Sequence, residues 1–276
     1  MLRFTVNADR CKRCARCVQD CPARIIRMAD GGPPAVVPQD EEACLRCQHC
    51  LAVCPQGAIS VFGKIPDRSL PLTPEELPSL PQMTRLVRGR RSFRHYRDEN
   101  VDRALLDGLL ATLANVPTGV NRQELTFRVV DDREVMRGLR ERIYCAILAA
   151  VATGGLPADG ALERFGRTYY DTGQDILLRG APHALLVSAP PDAPCPREDV
   201  TLALAYFELL AQSAGLGTVW CGLLKMALEA LPALKPLFEL PIDHAYYPML
   251  FGVPSLRYAR TVQRDEGAVV RRIRPN

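Results

Sequence analysis

Eight of the eleven cysteines fall into two copies of one pattern, and nothing else in the chain narrows its fold as far. Cys11, Cys14, Cys17 and Cys21 are followed by Pro22, and Cys44, Cys47, Cys50 and Cys54 by Pro55, so each copy reads C-x-x-C-x-x-C-x-x-x-C-P. A disulfide framework is one account of so many thiols, but it belongs to short secreted chains, and this one has 276 residues and 47% hydrophobic content. Zinc is the stronger rival, because paired C-x-x-C motifs also build tetrahedral thiolate sites. The third and fourth cysteine of each run, with the proline after it, favour iron and sulfur instead.

The doubled run resembles that of the bacterial two-cluster ferredoxins, which implies two [4Fe-4S] clusters within residues 1–62. In such proteins the fourth cysteine of each run serves the other cluster. The resemblance therefore implies one ligand set of Cys11, Cys14, Cys17 and Cys54, and a second of Cys44, Cys47, Cys50 and Cys21. Residues 3–7 and 58–62 read as short strands that pair as the two ends of this domain. Ala15, Ile25, Ile26, Ala52, Val53 and Ile59 are expected to shield the clusters. His49 is expected to be a bystander, since four thiolates are already present.

Charge excludes one large class of partner. Lys and Arg total 35 against 31 acidic residues, a net charge of +4 spread along the chain, which is too mild for a nucleic-acid surface. No apolar leader precedes the first cysteine motif, and the most apolar tract, residues 200–224, is interrupted by Glu208, Gln212, Gly215 and Gly217. It falls short of the roughly 18 apolar residues a membrane span requires, so the chain reads as soluble and cytoplasmic. Residues 63–82 hold Pro66, Pro71, Pro74, Pro78 and Pro81, a density that predicts a stiff extended linker.

Residues 83–276 interleave helices and strands. Ser79 and Pro81 open a helix, and Arg90-Arg91-Ser92-Phe93-Arg94 follows it. In an extended segment Arg90, Ser92 and Arg94 share one side, a natural phosphate clamp. A helix is predicted from Asn100, then the loop Pro117 to Gln123, a strand at 126–130 and a helix from Asp131 to Val151. Residues 154–175, rich in glycine and polar side chains, are expected to be a mobile covering segment. A buried strand at 183–189 precedes a helix over 198–214, a strand over 217–222, two short helices at 225–231 and 234–238, and a last strand at 246–253. No G-x-G-x-x-G fingerprint is present to argue for a dinucleotide.

Four stretches in order resemble the flavin-dependent nitroreductase family: Arg90 to Arg94; Pro117-Thr118-x-x-Asn121-x-Gln123; Gly215 to Gly222; and Phe251-Gly252-Val253-Pro254 with Tyr258-Ala259-Arg260. The resemblance implies an α+β fold and a homodimer with FMN at its interface. It places the flavin phosphate on Arg90, Ser92, Arg94 and Arg260 with Arg91 close by, and lines the flavin with Pro117, Thr118 and Asn121. Trp220, Cys221 and Gly222 would pass beside the ring system, and no side chain is implied as a catalytic group, because the flavin does the chemistry. Cys221 is expected to be a small buried hydrophobe rather than a nucleophile. Gln123-Glu124-Leu125 stands where the family commonly has Gln-Pro-Trp, a change that bears on substrate class.

The expected activity is reduction of a small electron-poor substrate, such as a nitro compound or quinone, with electrons entering through the clusters rather than directly from NAD(P)H. An external electron-donor protein is the partner this implies. The alternatives are a non-enzymatic electron carrier or redox sensor that uses FMN as a relay, and an iron-sulfur module whose second domain has lost FMN.

Overall fold

A computed structural model of the chain describes residues 2–157 and 160–274. It divides into two compact units, one of residues 1–78 with 118–122, the other of residues 79–117 with 123–276.

The first unit contains β1 (Thr5–Val6), α1 (Arg16–Asp20), β2 (Ile26–Met28), β3 (Pro34–Val36), α2 (His49–Ala52) and β4 (Ile59–Ser60). β1 and β4 pair antiparallel, with Thr5 opposite Ser60, as the chain ends of the repeat were expected to do. β2 and β3 form a hairpin. The cysteine repeat is repeated in the backbone: Arg13, Ala15 and Arg24 have φ of 51°, 58° and 55°, and Arg46, Gln48 and Gly57 have 56°, 60° and 55°. Left-handed non-glycine residues cost on the order of 1–3 kcal/mol each and persist only where their surroundings over-determine them. Here they turn the chain sharply around each set of cysteines.

The proline-rich segment is less uniform than its composition predicts. Pro66–Arg68 and Pro74–Glu76 each form one 3-10 turn with proline at its first position, where a missing N–H costs nothing. Arg10 holds the first of these turns through Asp67 at 2.9 Å.

The second unit runs α3 (Leu80–Gly89), α4 (Arg103–Thr112), β5 (Thr126–Val130), α5 (Arg133–Ala152), α6 (Ala161–Thr172), β6 (His183–Ala189), α7 (Pro196–Ser213), β7 (Gly217–Trp220), α8 (Gly222–Ala230) and β8 (Ala245–Gly252). The strands form one antiparallel sheet in the order β5-β6-β8-β7. Side chains alternate across a strand, and both faces of this sheet are covered. Ala184, Leu186 and Leu250 join the core with α5, α6 and α8, while Leu185, Val187, Met249 and Phe251 join the core with α4 and α7. Ser79 caps α3 in a reciprocal box with Gln82, and Asp102 and Asp132 cap α4 and α5.

Residues 154–175, expected as a mobile covering segment, are mostly helical, although residues 158 and 159 lie outside the described residues. Most of the segment is α6, packed on α5 with the Tyr144 and Tyr169 rings stacked at 4.1 Å. Gly166 permits that approach, since a Cβ there would stand 2.9 Å from Leu148 Cδ2.

His183 opens β6 fully buried, its Nε2 accepting the Val101 N–H at 3.0 Å. Burial pushes its pKa below the usual 6.5, against smaller opposing effects from the Val130 backbone and from Asp131 and Asp132. A depressed histidine pKa means that the fold favours the neutral ring, so this stability is present above about pH 6.5 and lost as the pH falls towards the folded-state value. The unfolding free energy from urea titrations is expected to drop between pH 7.5 and 5.5 with a slope of at most ~1.4 kcal/mol per pH unit from this group. His183→Gln, whose oxygen can accept the same N–H, should flatten that part of the curve; identical curves for both proteins would exclude His183 as the source.

Candidate functional site

In the first unit the eight cysteines sort into two hollows. One is lined by Cys11, Cys14, Cys17 and Cys54 with Ala15 and Ile59, around about 360 Å³ of empty space. The other is lined by Cys21, Cys44, Cys47 and Cys50 with Ile25 and Ile26, around about 410 Å³. Each takes three sulfurs from one run and the fourth from the other. All eight thiols are free of disulfides.

Apolar burial raises the Cys50 thiol to about 11, with Cys47, Cys44 and Cys21 adding to the shift after it. It raises Cys17 as well, with smaller contributions from Cys54 and Cys11. The Ala58 N–H lies 3.2 Å from Cys54 Sγ, the kind of donor that stabilises a metal-bound thiolate. Four sulfurs around an apolar hollow fit a thiolate-held iron-sulfur group. Among the described residues, no group of three or more His, Cys, Asp or Glu side chains is set to hold a single metal ion. Of the expected shielding residues, Ala52 is exposed and Val53 packs in the core of the unit. His49 lines the second hollow, its Nδ1 lying 3.4 Å from Asp20.

In the second unit the separated motifs meet. Ser92 bridges Thr218 in parallel beside β7, and the Phe93 N–H donates to the Thr218 carbonyl at 2.9 Å. Tyr96 bridges Pro254, the Arg97 N–H donates to the Val253 carbonyl at 2.8 Å, and Tyr258 meets the Phe93 ring edge-on at 5.3 Å. The arginine run, the strand ending in Trp220, and the Phe251 and Tyr258 stretches thus form one assembly.

The arginines do not act alike. Arg90 pairs with Glu208 of α7 at 3.0 Å, whereas Arg94 is exposed with its Nη1 donating to the Ser92 carbonyl at 3.3 Å. Arg91 donates through Nη1 to the Arg90 carbonyl at 2.5 Å, and its Nη2 is buried without a hydrogen-bond partner. A buried guanidinium nitrogen without an acceptor is costly and suits an anion. Arg88, Arg90, Arg91 and Arg264 line one open cleft of about 1,040 Å³ together with Asp265. Arg260 lies exposed in the tail just before it. Arg88, Arg264 and Glu208 escaped the sequence reading. Arg88 is part of the same basic run, and Glu208 had registered only as a charge interrupting an apolar tract.

Trp220 donates its Nε1–H to Glu208 Oε2 at 3.2 Å. Gly222 starts α8, where a Cβ would stand 3.3 Å from the Tyr247 hydroxyl. Cys221 is buried, its thiol pushed up to about 11 chiefly by that burial, and its Sγ lies 3.2 Å from the Leu177 carbonyl. Burial thus favours the protonated thiol, whose S–H is placed to donate to that carbonyl. Asp175 fixes the turn beneath it, accepting from Arg140 Nε and the Tyr144 hydroxyl at 2.7 Å and from the N–H groups of Leu178 and Gly180. Pro117 belongs to the second unit, while Thr118 and Asn121 belong to the first, where the Asn121 amide donates to the Leu45 carbonyl at 2.8 Å.

Among the described residues no helix is long and apolar enough to cross a membrane. The nitroreductase family model matches residues 87–253, and a 4Fe-4S dicluster domain model matches residues 10–59. An FMN-bound nitroreductase structure from Bacteroides fragilis NCTC 9343 superposes with a TM-score of 0.55 at 22% identity, covering 69% of this chain and 99% of that one. A second, from Desulfitobacterium hafniense DCB-2, gives 0.53 at 21% identity, covering 68% and 97%. The iodotyrosine deiodinase of Thermotoga neapolitana is 27% identical over 149 residues, 49% of this chain and 70% of the relative. With the family model spanning most of the second unit and the dicluster model the cysteine repeat, the chain belongs to the nitroreductase family and carries an N-terminal 4Fe-4S ferredoxin domain.

Proposed function

We propose that the protein is a cytoplasmic iron-sulfur flavoprotein, a homodimer with FMN at its interface, in which residues 1–62 are the electron-input domain, 63–82 the linker and 83–276 the flavin domain. The observation that carries the reading is the pair of four-cysteine hollows, each built from both runs, in a chain whose other unit has a nitroreductase fold. Two [4Fe-4S] clusters are assigned to those hollows. Arg90, Arg91, Ser92, Arg94 and Arg260 are assigned to the flavin phosphate, an assignment supported by the unpartnered Arg91 Nη2 and the arginine-lined cleft beside it. Pro117, Thr118 and Asn121 line the flavin, and Trp220, Cys221 and Gly222 pass beside its rings.

When bound, FMN would collect the two electrons that clusters carry one at a time and pass them on as a pair. The arginines bind and orient its phosphate end. The backbone at the start of α8 offers N–H groups to the ring edge. The substrate is a small electron-poor acceptor: a nitro compound, a quinone or, given the relative named for deiodination, a halogenated aromatic. A ferredoxin-type donor protein fits the input domain better than NAD(P)H at the flavin.

Anaerobic purification should yield iron, acid-labile sulfide and FMN together. Reduced ferredoxin should support acceptor reduction by the intact protein and not by a form whose eight cluster cysteines are replaced by alanine. NADH-driven turnover that persists unchanged in the replaced form would overturn the internal route.

A further inference from the structure

We infer that Glu208 is the positioning residue that fixes the phosphate clamp and the ring-side strand in a single geometry. The inference rests on the FMN reading above and concerns a residue outside every motif that suggested it. Glu208 sits on α7 with its side chain only 8% exposed. Its Oε1 accepts from Arg90 Nη1 at 3.0 Å and lies 3.5 Å from Thr218 Oγ1, and its Oε2 accepts from Trp220 Nε1 at 3.2 Å. One carboxylate therefore holds an arginine of the clamp and the indole of the strand that leads to Gly222.

Only a carboxylate satisfies both donors. Glutamine has one oxygen and one NH2, so whichever way its amide turns, the NH2 faces either the Arg90 guanidinium or the Trp220 indole N–H. A donor set against a donor in a buried place leaves both unmade, which is costlier than having no bond there. With the NH2 towards Arg90 the arginine loses its anchor and spreads over its many rotamers, and with the NH2 towards Trp220 the indole and its strand are pushed off the shared carboxylate.

Charge and position predict opposite signs for the loss of Glu208. Removing a negative charge near Arg90 strengthens long-range attraction for a phosphate; removing an anchor weakens binding. The cleft already has Arg88, Arg91 and Arg264, with Arg90 held inward by its carboxylate, so the site is rich in charge and depends on order. Position is expected to win.

The test uses the full chain with its clusters in place, stripped of flavin and titrated anaerobically with FMN and with riboflavin, which lacks the phosphate. Glu208→Gln should weaken FMN at least about tenfold, the scale of losing one charge-assisted contact, and lower the ratio of FMN to riboflavin affinity. A purely structural role would weaken both flavins alike. Trp220→Phe removes one of the two donors, so Glu208→Gln in that background can turn its oxygen to Arg90, and FMN affinity should return to within about threefold of Trp220→Phe alone. If Glu208→Gln does not accumulate folded, this double variant is read against Trp220→Phe by itself, and recovery is still the expected result.

FMN binding by Glu208→Gln as tight as or tighter than that of the unmodified chain overturns the inference, as does a loss that persists undiminished with Trp220→Phe. An unmodified chain that binds no FMN overturns the flavin reading and this inference together. An unmodified chain that binds FMN beside an unaffected Glu208→Gln leaves the flavin reading intact.

Discussion

Cys54→Ala is expected to remove the cluster assigned to Cys11, Cys14 and Cys17 while sparing the one assigned to the rest of its own run. The reason is geometric. Cys54 lines the hollow of the first run, and Cys21 that of the second. Iron and acid-labile sulfide per chain should fall to about half, and magnetic coupling between two reduced clusters should disappear from the electron paramagnetic resonance spectrum. Cys21→Ala should do the converse. Alanine is the informative replacement, because a serine oxygen can itself bind iron.

The loss should also be felt in stability. The first unit has two pairs of strands only two or three residues long and a core built on Leu2, Ile25, Ile26, Leu51, Ile59 and Val61. Units of this size rarely hold together by apolar burial alone and need staples such as bound metal. Proteolysis should therefore cut residues 1–62 of Cys54→Ala faster than those of the unmodified protein. Loss of the cluster bounded by Cys44, Cys47 and Cys50 in Cys54→Ala would show that the runs do not exchange ligands.

What was legible in the sequence had a local signature. The cysteine spacing constrains backbone within a few residues, and the left-handed conformations at Ala15 and Gln48 occupy matching places in the two runs. The Ser79 cap acts over one turn and was readable for the same reason, whereas the helix expected from Asn100 starts at Arg103, behind the Asp102 cap. The part that was not legible depends on distant partners. Glu208 meets Arg90 across 118 positions of sequence, and tertiary packing joins them, α3 lying on α7 with Gln212 Nε2 donating to the Leu86 carbonyl at 3.0 Å. Residues 161–172 contain an apolar stripe of Leu162, Phe165 and Tyr169, but the glycines and polar side chains around it suggested a mobile covering segment. Gly166 proves to serve close approach to α5 instead. Thr118 to Arg122 looked like part of the flavin domain by position in the chain, yet these residues cluster with the first unit.

Gly217→Ala should damage flavin binding as severely as loss of an arginine, although Gly217 has no side chain with which to hold a ligand. A Cβ at Gly217 would stand 2.6 Å from Phe93 Cγ and 2.8 Å from Phe93 Cβ, closer than side chains pack. Phe93 has little freedom to retreat. Its N–H is bonded to the Thr218 carbonyl, its neighbour Ser92 bridges Thr218, and its ring meets Tyr258. The added methyl must therefore force the arginine run away from β7. Overpacking of this kind costs roughly 1–3 kcal/mol, and here the strain falls on the backbone seam between the arginine run and the strand that ends in Trp220. Weakening of FMN by at least about tenfold, with a lowered thermal midpoint, is the expected result. Combining Gly217→Ala with Phe93→Gly moves the missing Cβ from one side of the seam to the other, so part of the FMN affinity should return even though the aromatic packing is lost. Full affinity in Gly217→Ala would mean that the seam yields without moving the arginines, and the clamp would then have to be held by α7 alone.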